Sequence, residues 1–152
     1  MIEIQGLDEV KRKLTKLSSR LENMTPVMRS IGEEIKHEID QAFENERSPF
    51  GLPWRVRKAV GKNWDHNNKR KLLYLKGNLS QYWNVQATQS EVSVGTNKAK
   101  EYGAVHQWGS NKTSGRGSGI PARPFLPIDS HHQLPPKLVM VLKGIVEDEI
   151  DR

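Results

Sequence analysis

The first part of the chain carries two runs of apolar positions with helical spacing. In the first run the gaps alternate between three and four residues, which predicts one apolar stripe along a helix of about five turns. The stripe consists of Leu7, Val10, Leu14, Leu17, Leu21 and Met24. So regular a stripe suits either a coiled-coil seam between subunits or packing on the helix's own domain, and we favour the second for a single helix of this length.

The second run begins at Thr25-Pro26, where Thr25 suits the N-cap and Pro26 the first helical position. It predicts a helix that ends between Phe43 and Glu46. The buried face consists of Met28, Ile31, Ile35, Ile39, Ala42 and Phe43. Because the turn between the two helices is short, we expect them to pack as an antiparallel pair or to meet at an angle.

The middle of the chain changes from helical to extended patterning. Residues 82–87 and 91–95 alternate with a period near two, which predicts two strands joined as a hairpin by 88–90. Residues 109–119 are rich in glycine and serine and predict a flexible loop. Three prolines within 120–127 exclude a helix there and predict an extended segment at a sheet edge.

A last apolar run predicts a helix over about 134–151, with Pro135 and Pro136 in its first turn. Its inward residues are Leu138, Val141, Leu142, Ile145, Val146 and Ile150. The sequence therefore predicts an α+β fold within a single domain spanning residues 1–152. In this fold an N-terminal helical pair and a C-terminal helix pack on a small antiparallel β-sheet.

The positive charge is concentrated in one segment. The chain has 24 basic and 18 acidic residues, and residues 47–76 alone contain nine basic residues and one acidic residue. We interpret 47–76 as a long, partly ordered basic loop that ends in a short helical or extended run at 72–75. Its cations, interleaved with aromatic rings, suit contact with DNA or with an acidic partner surface. The candidates for this contact are Arg55, Arg57, Lys58, Lys62, Lys69, Arg70 and Lys71.

The sequence predicts no catalytic, metal or cofactor site. The chain has no cysteine, which excludes disulfides, thiolate zinc sites and cysteine nucleophiles. Its histidines lack metal-binding spacing, and the glycine-rich run 115–119 lacks the ending of a phosphate-binding loop. A hydrolase using His106 is the least favoured interpretation, because a histidine among aromatic residues more often fixes a local turn by hydrogen bonding.

The hydrophobic fraction of 35% is below the usual globular range. Either part of the chain is extended or disordered, or oligomerisation completes the fold. The sequence shows no signal peptide and no apolar run long enough to span a membrane. We therefore expect synthesis and assembly in the cytoplasm and no membrane contact.

Four separated motifs follow one another over nearly the whole chain. They are the segment 48–54 with Pro49, Gly51 and Trp54; the run 72–79 with Gly77 and Leu79; Val92-Ser93-Val94-Gly95-Thr96 followed by 102–109; and Ile120-Pro121-Ala122-Arg123-Pro124-Phe125-Leu126. In content, order and spacing they resemble the Mu-like phage virion-morphogenesis (tail-completion) family. Gly103 stands where that family commonly has alanine, and residues 58–71 match it only loosely.

This resemblance implies a non-enzymatic structural protein that acts in tail completion or head–tail joining. It implies a homo-oligomer in the form of a sixfold ring, with phage tail-tube or head–tail connector proteins as partners. The protein would occupy the host cytoplasm during assembly and then the virion. The alternative from another class is a basic nucleic-acid-binding protein that uses residues 47–76, and within a virion the same loop could contact DNA without sequence specificity.

The motif matches also mark individual positions as structural or interface residues. These are Trp54, Gly77, Leu79, Gly95, Tyr102, His106, Gln107, Trp108, Gly109, Pro121, Arg123, Pro124 and Phe125. We hypothesise that Arg123 donates hydrogen bonds to carbonyl groups around the turn at 106–109, while Phe125 fills the core beneath it.

Overall fold

The structure is a computed structural model that describes residues 7–56, 72–73, 79–97, 100–110 and 119–152. These residues form four helices and a two-stranded antiparallel sheet, which confirms the predicted α+β class. In chain order the elements are α1 (Leu7–Glu22), α2 (Thr25–Asn45), β1 (Asn84–Ala87), β2 (Val92–Gly95), α3 (Lys100–Trp108) and α4 (Pro136–Asp151). None of the described helices is long and apolar enough to cross a membrane.

Helix α2 begins differently from the prediction and ends within the predicted range. Met24, not Thr25, is the N-cap, and no side chain caps the first turn, so the predicted threonine cap is wrong. Pro26 lies in that first turn, where its missing N–H removes one otherwise unsatisfied donor. The helix ends at Asn45, and the C-cap residue Glu46 has a left-handed backbone (φ 50°) and donates its N–H to the Ala42 carbonyl.

The central packing of the fold is α2 lying across the β-hairpin. Strands β1 and β2 pair in antiparallel register, with Val85 opposite Val94 and Ala87 opposite Val92. These four side chains are half-buried, while the alternate positions of both strands are exposed. Where the helix crosses the hairpin it carries Gly32, at which an added Cβ would collide with Val85 and Val92. The glycine therefore allows helix and sheet to approach closely.

The core lies at the C-terminal end of α2 and is rich in aromatic rings. The Phe43 ring meets Trp54 edge-on with centroids 5.4 Å apart, and it lies 5.3 Å from the ring of Phe125. Trp83 closes the other side of Phe125 at 5.9 Å. Ile39, Leu72 and Leu79 complete the cluster with Ala42. The cluster thus joins five separated stretches of the chain.

Helix α1 lies apart from this core. It packs against α4 and not against α2, which excludes the antiparallel pair and leaves the predicted alternative, in which the two helices meet at an angle. Its apolar stripe is uncovered at three positions, with Val10 52%, Leu14 61% and Leu21 54% exposed, whereas Leu17 and Met24 are half-buried. Packing on its own domain therefore leaves Val10, Leu14 and Leu21 uncovered, and α1 is shorter than the five turns predicted.

Helix α4 matches its predicted range closely but not all of its predicted inward face. Leu138 is buried, and Leu142, Ile145 and Val146 are half-buried. Val141 and Ile150 are 40% and 46% exposed, so the prediction is wrong for these two residues. In the turn before the helix, Asp129 Oδ1 accepts the backbone N–H groups of His131 and Gln133 at 2.8 and 2.9 Å.

Candidate functional site

The segment containing His106, Gln107 and Trp108 is the last part of helix α3, not the turn that the sequence suggested. The helix ends at Gly109, whose φ of +81° lies in the left-handed region. Its N–H donates to the Val105 carbonyl at 2.7 Å. A Cβ at Gly109 would lie 3.0 Å from the Ile120 carbonyl oxygen, so both backbone conformation and space favour glycine there.

The proline-containing segment 120–127 is neither helix nor strand, and its described backbone hydrogen bonds join it to the end of α3 and not to the sheet edge that the sequence predicted. Ser110 N–H donates to the Ile120 carbonyl at 2.9 Å, and Arg123 N–H donates to the His106 carbonyl at 2.7 Å. The Ser110 hydroxyl also accepts the Ile120 N–H at 3.1 Å. We call this contact of 106–110 with 120–126 the junction.

Gln107 fastens the junction from inside. Its side chain is 1% exposed, and its Oε1 accepts the N–H groups of Phe125 and Leu126, both at 2.9 Å. Buried backbone N–H groups need hydrogen-bond acceptors, which a neighbouring strand often supplies. Here the side chain of Gln107 supplies the acceptor instead. Because Oε1 accepts two amides, the orientation of the side chain is fixed, and Nε2 has no hydrogen-bond partner among the described residues.

Two further hydrogen bonds join the junction to the segment that follows α2. Trp54 Nε1 donates to the Pro124 carbonyl at 2.8 Å. Arg123 Nε donates to the Arg55 carbonyl at 3.0 Å, and Arg123 is itself buried. Phe125, 2% exposed, contacts the Phe43 ring of α2, so the junction is anchored to α2 by aromatic contact and to the following segment by hydrogen bonds.

His106 is half-buried at this place. Burial and, to a smaller degree, the positive charge of Arg123 lower the pKa of its imidazole below the usual 6.5. Both effects disfavour the imidazolium form. The Tyr102 ring lies edge-on to it at 6.1 Å, one helical turn earlier. Nδ1 of His106 has no hydrogen-bond partner in the described part of the chain.

An open apolar cleft of about 280 Å³ adjoins the junction. Its walls include Leu79, Trp83 and Trp108, and Gln107, Phe125 and Leu126 form its inner side. No three histidine, aspartate or glutamate side chains of the described residues come together as a metal site would require.

The structure thus brings together most residues that the motifs single out. Trp54, Leu79, His106, Gln107, Gly109, Arg123, Pro124 and Phe125 meet at or beneath the junction, with Tyr102, Trp108 and Pro121 at its edge. Gly95 lies apart, at the exposed end of β2. Gly77 and the basic residues Arg57, Lys58, Lys62, Lys69, Arg70 and Lys71 lie outside the described residues. Arg55 is described and exposed.

Sequence reasoning missed some residues that shape this region. Trp83, assigned only to a strand, is buried and donates its Nε1–H to the Leu79 carbonyl at 2.9 Å. Glu46, at the end of α2, accepts the Leu72 N–H at 2.6 Å through Oε1. The position of Trp83 directly before a short strand could have indicated its burial. Nothing in the sequence pattern indicated that Glu46 accepts a hydrogen bond from Leu72.

The fold and the junction define a small α+β protein in which motif residues serve mainly as hydrogen-bonding and packing groups. The chain belongs to the phage virion morphogenesis family, whose sequence profile matches residues 5–135. It is also similar to the Mu-like prophage FluMu G protein 2 of Haemophilus influenzae (strain ATCC 51907 / DSM 11121 / KW20 / Rd). The two are 30% identical over 125 residues, which cover 82% of this chain and 81% of that protein.

No solved structure matches the chain significantly. Membership of this family confirms the resemblance of the four motifs and gives the chain a structural role in phage morphogenesis, associated with the virion.

Proposed function

We propose that this protein is a non-catalytic component that completes the phage tail or joins it to the head, and that it acts as a ring of identical subunits. The observation that carries the proposal is family membership across residues 5–135. Tail and head–tail junctions are built around an axis, so a small protein that finishes one of them acts most simply as a closed ring.

The surface of the molecule supports assembly. Three large aliphatic side chains of α1 are more than half exposed, together with Met140 of α4 at 73%. Isolated exposed apolar residues are ordinary, but a row along one helix face is typical of an interaction site. The low hydrophobic fraction of the chain, 35%, agrees with a subunit that buries further apolar surface only on assembly.

Electron microscopy of particles made without this protein tests the proposal. A stop codon is introduced early in its gene in the phage or prophage that encodes it, and lysates are compared with and without the wild-type gene supplied in trans. We expect complete heads together with separate or unfinished tails, and normal particles after complementation. Normal particles and titre without the protein would contradict the proposal, and absent heads would assign the protein to an earlier step.

Nucleic-acid binding is the second candidate function. It is supported by the nine basic residues against one acidic residue in 47–76, and of these Arg47 and Arg55 lie on the described surface and are exposed. In a virion the same loop would contact DNA through phosphates, without reading sequence.

A further inference from the structure

Apart from the cleft beside the junction, helices α1, α2 and α4 carry two unlike apolar surfaces that remain uncovered. The first is the exposed part of the stripe on α1, formed by Val10, Leu14 and Leu21. The second is an open groove of about 550 Å³ between α2 and α4. Ile31 of α2 lines the groove together with Leu134, Val139, Leu142 and Val146.

Helix α1 is held to the C-terminal end of its own chain by two basic side chains beside the stripe. Lys16 Nζ donates to the Arg152 carbonyl at 2.7 Å, and Arg20 Nη1 donates to the Glu149 carbonyl at 3.0 Å. Cations suit the carbonyl-rich end of a helix, which carries the negative end of its dipole. With about 3.6 residues per turn, Lys16 and Arg20 lie roughly a third of a turn around the helix from the stripe. The contact with α4 therefore leaves Val10, Leu14 and Leu21 exposed.

The charges around the two surfaces are complementary. Helix α1 has five basic and three acidic residues, whereas α2 and α4, which form the groove, have nine acidic and four basic residues between them. On the rim of the groove itself, Lys143 and Glu147 contribute one charge of each sign. Pairing two α1 helices would bring like charges together, because Lys11, Lys13 and Arg20 flank the stripe. The net-basic α1 and the net-acidic helices α2 and α4 attract instead.

We propose that α1 of one subunit docks its stripe in the α2–α4 groove of the next subunit. The proposal rests on the self-assembly stated under the proposed function and assigns its interface. An amphipathic helix in an apolar groove is a common mode of recognition, in which apolar residues at helical spacing act as anchors. Because stripe and groove are different surfaces, the contact is head-to-tail, and repetition of it produces a ring when the rotation closes.

Paired variants separate this arrangement from a symmetric one. Leu14→Glu disables the stripe and Val146→Glu disables the groove. The matched controls are Ser19→Glu, on the opposite face of α1, and Val141→Glu, on the opposite face of α4. Mass is measured by light scattering from micromolar to near-millimolar concentration, and each variant is first checked for a wild-type melting curve. If Val146→Glu melts early, Glu147→Arg replaces it, since that side chain is exposed.

We expect wild type and both controls to form the ring-sized species, and Leu14→Glu and Val146→Glu each to remain monomeric. An equimolar mixture of these two should form a dimer and nothing larger, because it contains one functional stripe and one functional groove. A mixture that stays monomeric would overturn the head-to-tail contact. Disabled variants that assemble like wild type would overturn the interface and leave the ring standing, whereas a monomeric wild type would contradict self-assembly as well.

Discussion

At the scale of single residues, Gln107 supports the junction through a side chain that accepts two backbone amides at 2.9 Å while 1% exposed. Its replacement by alanine would leave both amides unsatisfied and open a cavity. Each unsatisfied buried group costs about 1–3 kcal/mol, so we expect Gln107→Ala to lower the free energy of unfolding by about 2 kcal/mol or more. Urea denaturation followed by circular dichroism measures this, and an unchanged midpoint would show that water satisfies both amides.

Arg123 is the second residue whose removal should destabilise the fold. Its buried side chain donates to the Arg55 carbonyl at 3.0 Å and connects the junction to the segment after Trp54. We expect Arg123→Ala to lower the melting temperature, because the carbonyl loses its partner and the long side chain loses its packing. A wild-type melting curve combined with lost assembly would instead place Arg123 at an interface between subunits.

His106 should make stability depend on pH in a defined direction. Its folded-state pKa is below the usual 6.5, chiefly through burial and also through Arg123. The unfolded chain therefore binds this proton more readily, and the contribution of His106 is fully present above the unfolded pKa and is lost as pH falls from that value through the lower folded-state pKa.

Unfolding midpoints between pH 5 and pH 8 test this expectation. Wild type should lose more stability on acidification than His106→Asn, whose side chain does not titrate. Because all other titratable groups are shared, the difference between the two proteins isolates His106. Parallel pH profiles would show that the imidazole has the same proton affinity in both states.

At the scale of the elements, two helical glycines should respond oppositely to the same substitution. Gly32 lies where α2 crosses the hairpin, and a Cβ there would collide with two valine side chains, which are branched and cannot easily turn aside. Gly144 of α4 has nothing within 4 Å of an added Cβ.

We expect Gly32→Ala to destabilise by about 1–3 kcal/mol through overpacking. Gly144→Ala should stabilise by about 0.5–1 kcal/mol, because alanine has the higher helix propensity and no contact is disturbed. Differential scanning calorimetry of both variants gives the comparison. Equal signs would mean that helix propensity, and not the helix–sheet contact, governs both positions.

Periodicity predicted α2, the hairpin and α4 because each buries one face of a regular element, and such burial is recorded in the spacing of apolar residues. It missed α3, whose nine residues include Gly103 and too few apolar positions to define a stripe. The residue that could have indicated α3 was Gly109, which follows the helix in a left-handed conformation. For α1 the spacing revealed the stripe but not its exposure, since a pattern along one helix contains no information about what covers it.

The site was predictable as a set of motif residues but not as a set of contacts. Trp54 bonds to Pro124 across 70 positions, and Arg123 to Arg55 across 68. Such pairings follow from the packing of Phe43, Phe125 and Trp83, which no local pattern specifies. Gln107 is the clearest case, because a polar residue beside an aromatic one gives no indication that it is fully buried.

At the scale of the whole molecule, the two candidate functions make different predictions about mass. The chain carries a net charge of +6, with its positive excess in 47–76, so some attraction to any polyanion is expected at low salt. An assembly protein should nevertheless reach its ring-sized mass through protein contacts alone.

Light scattering at physiological ionic strength, with and without a short DNA duplex, separates the alternatives. We expect a concentration-dependent oligomer whose mass the duplex leaves unchanged, and DNA attraction that falls steeply as salt is raised. Neutralising Arg55, Arg57, Lys58 and Lys62 to glutamine is the matched test, since it removes charge from the basic loop and leaves the α1 stripe intact. A protein that is monomeric at every concentration and shifts only when DNA is added, with the shift abolished in that variant, would favour the nucleic-acid function over assembly.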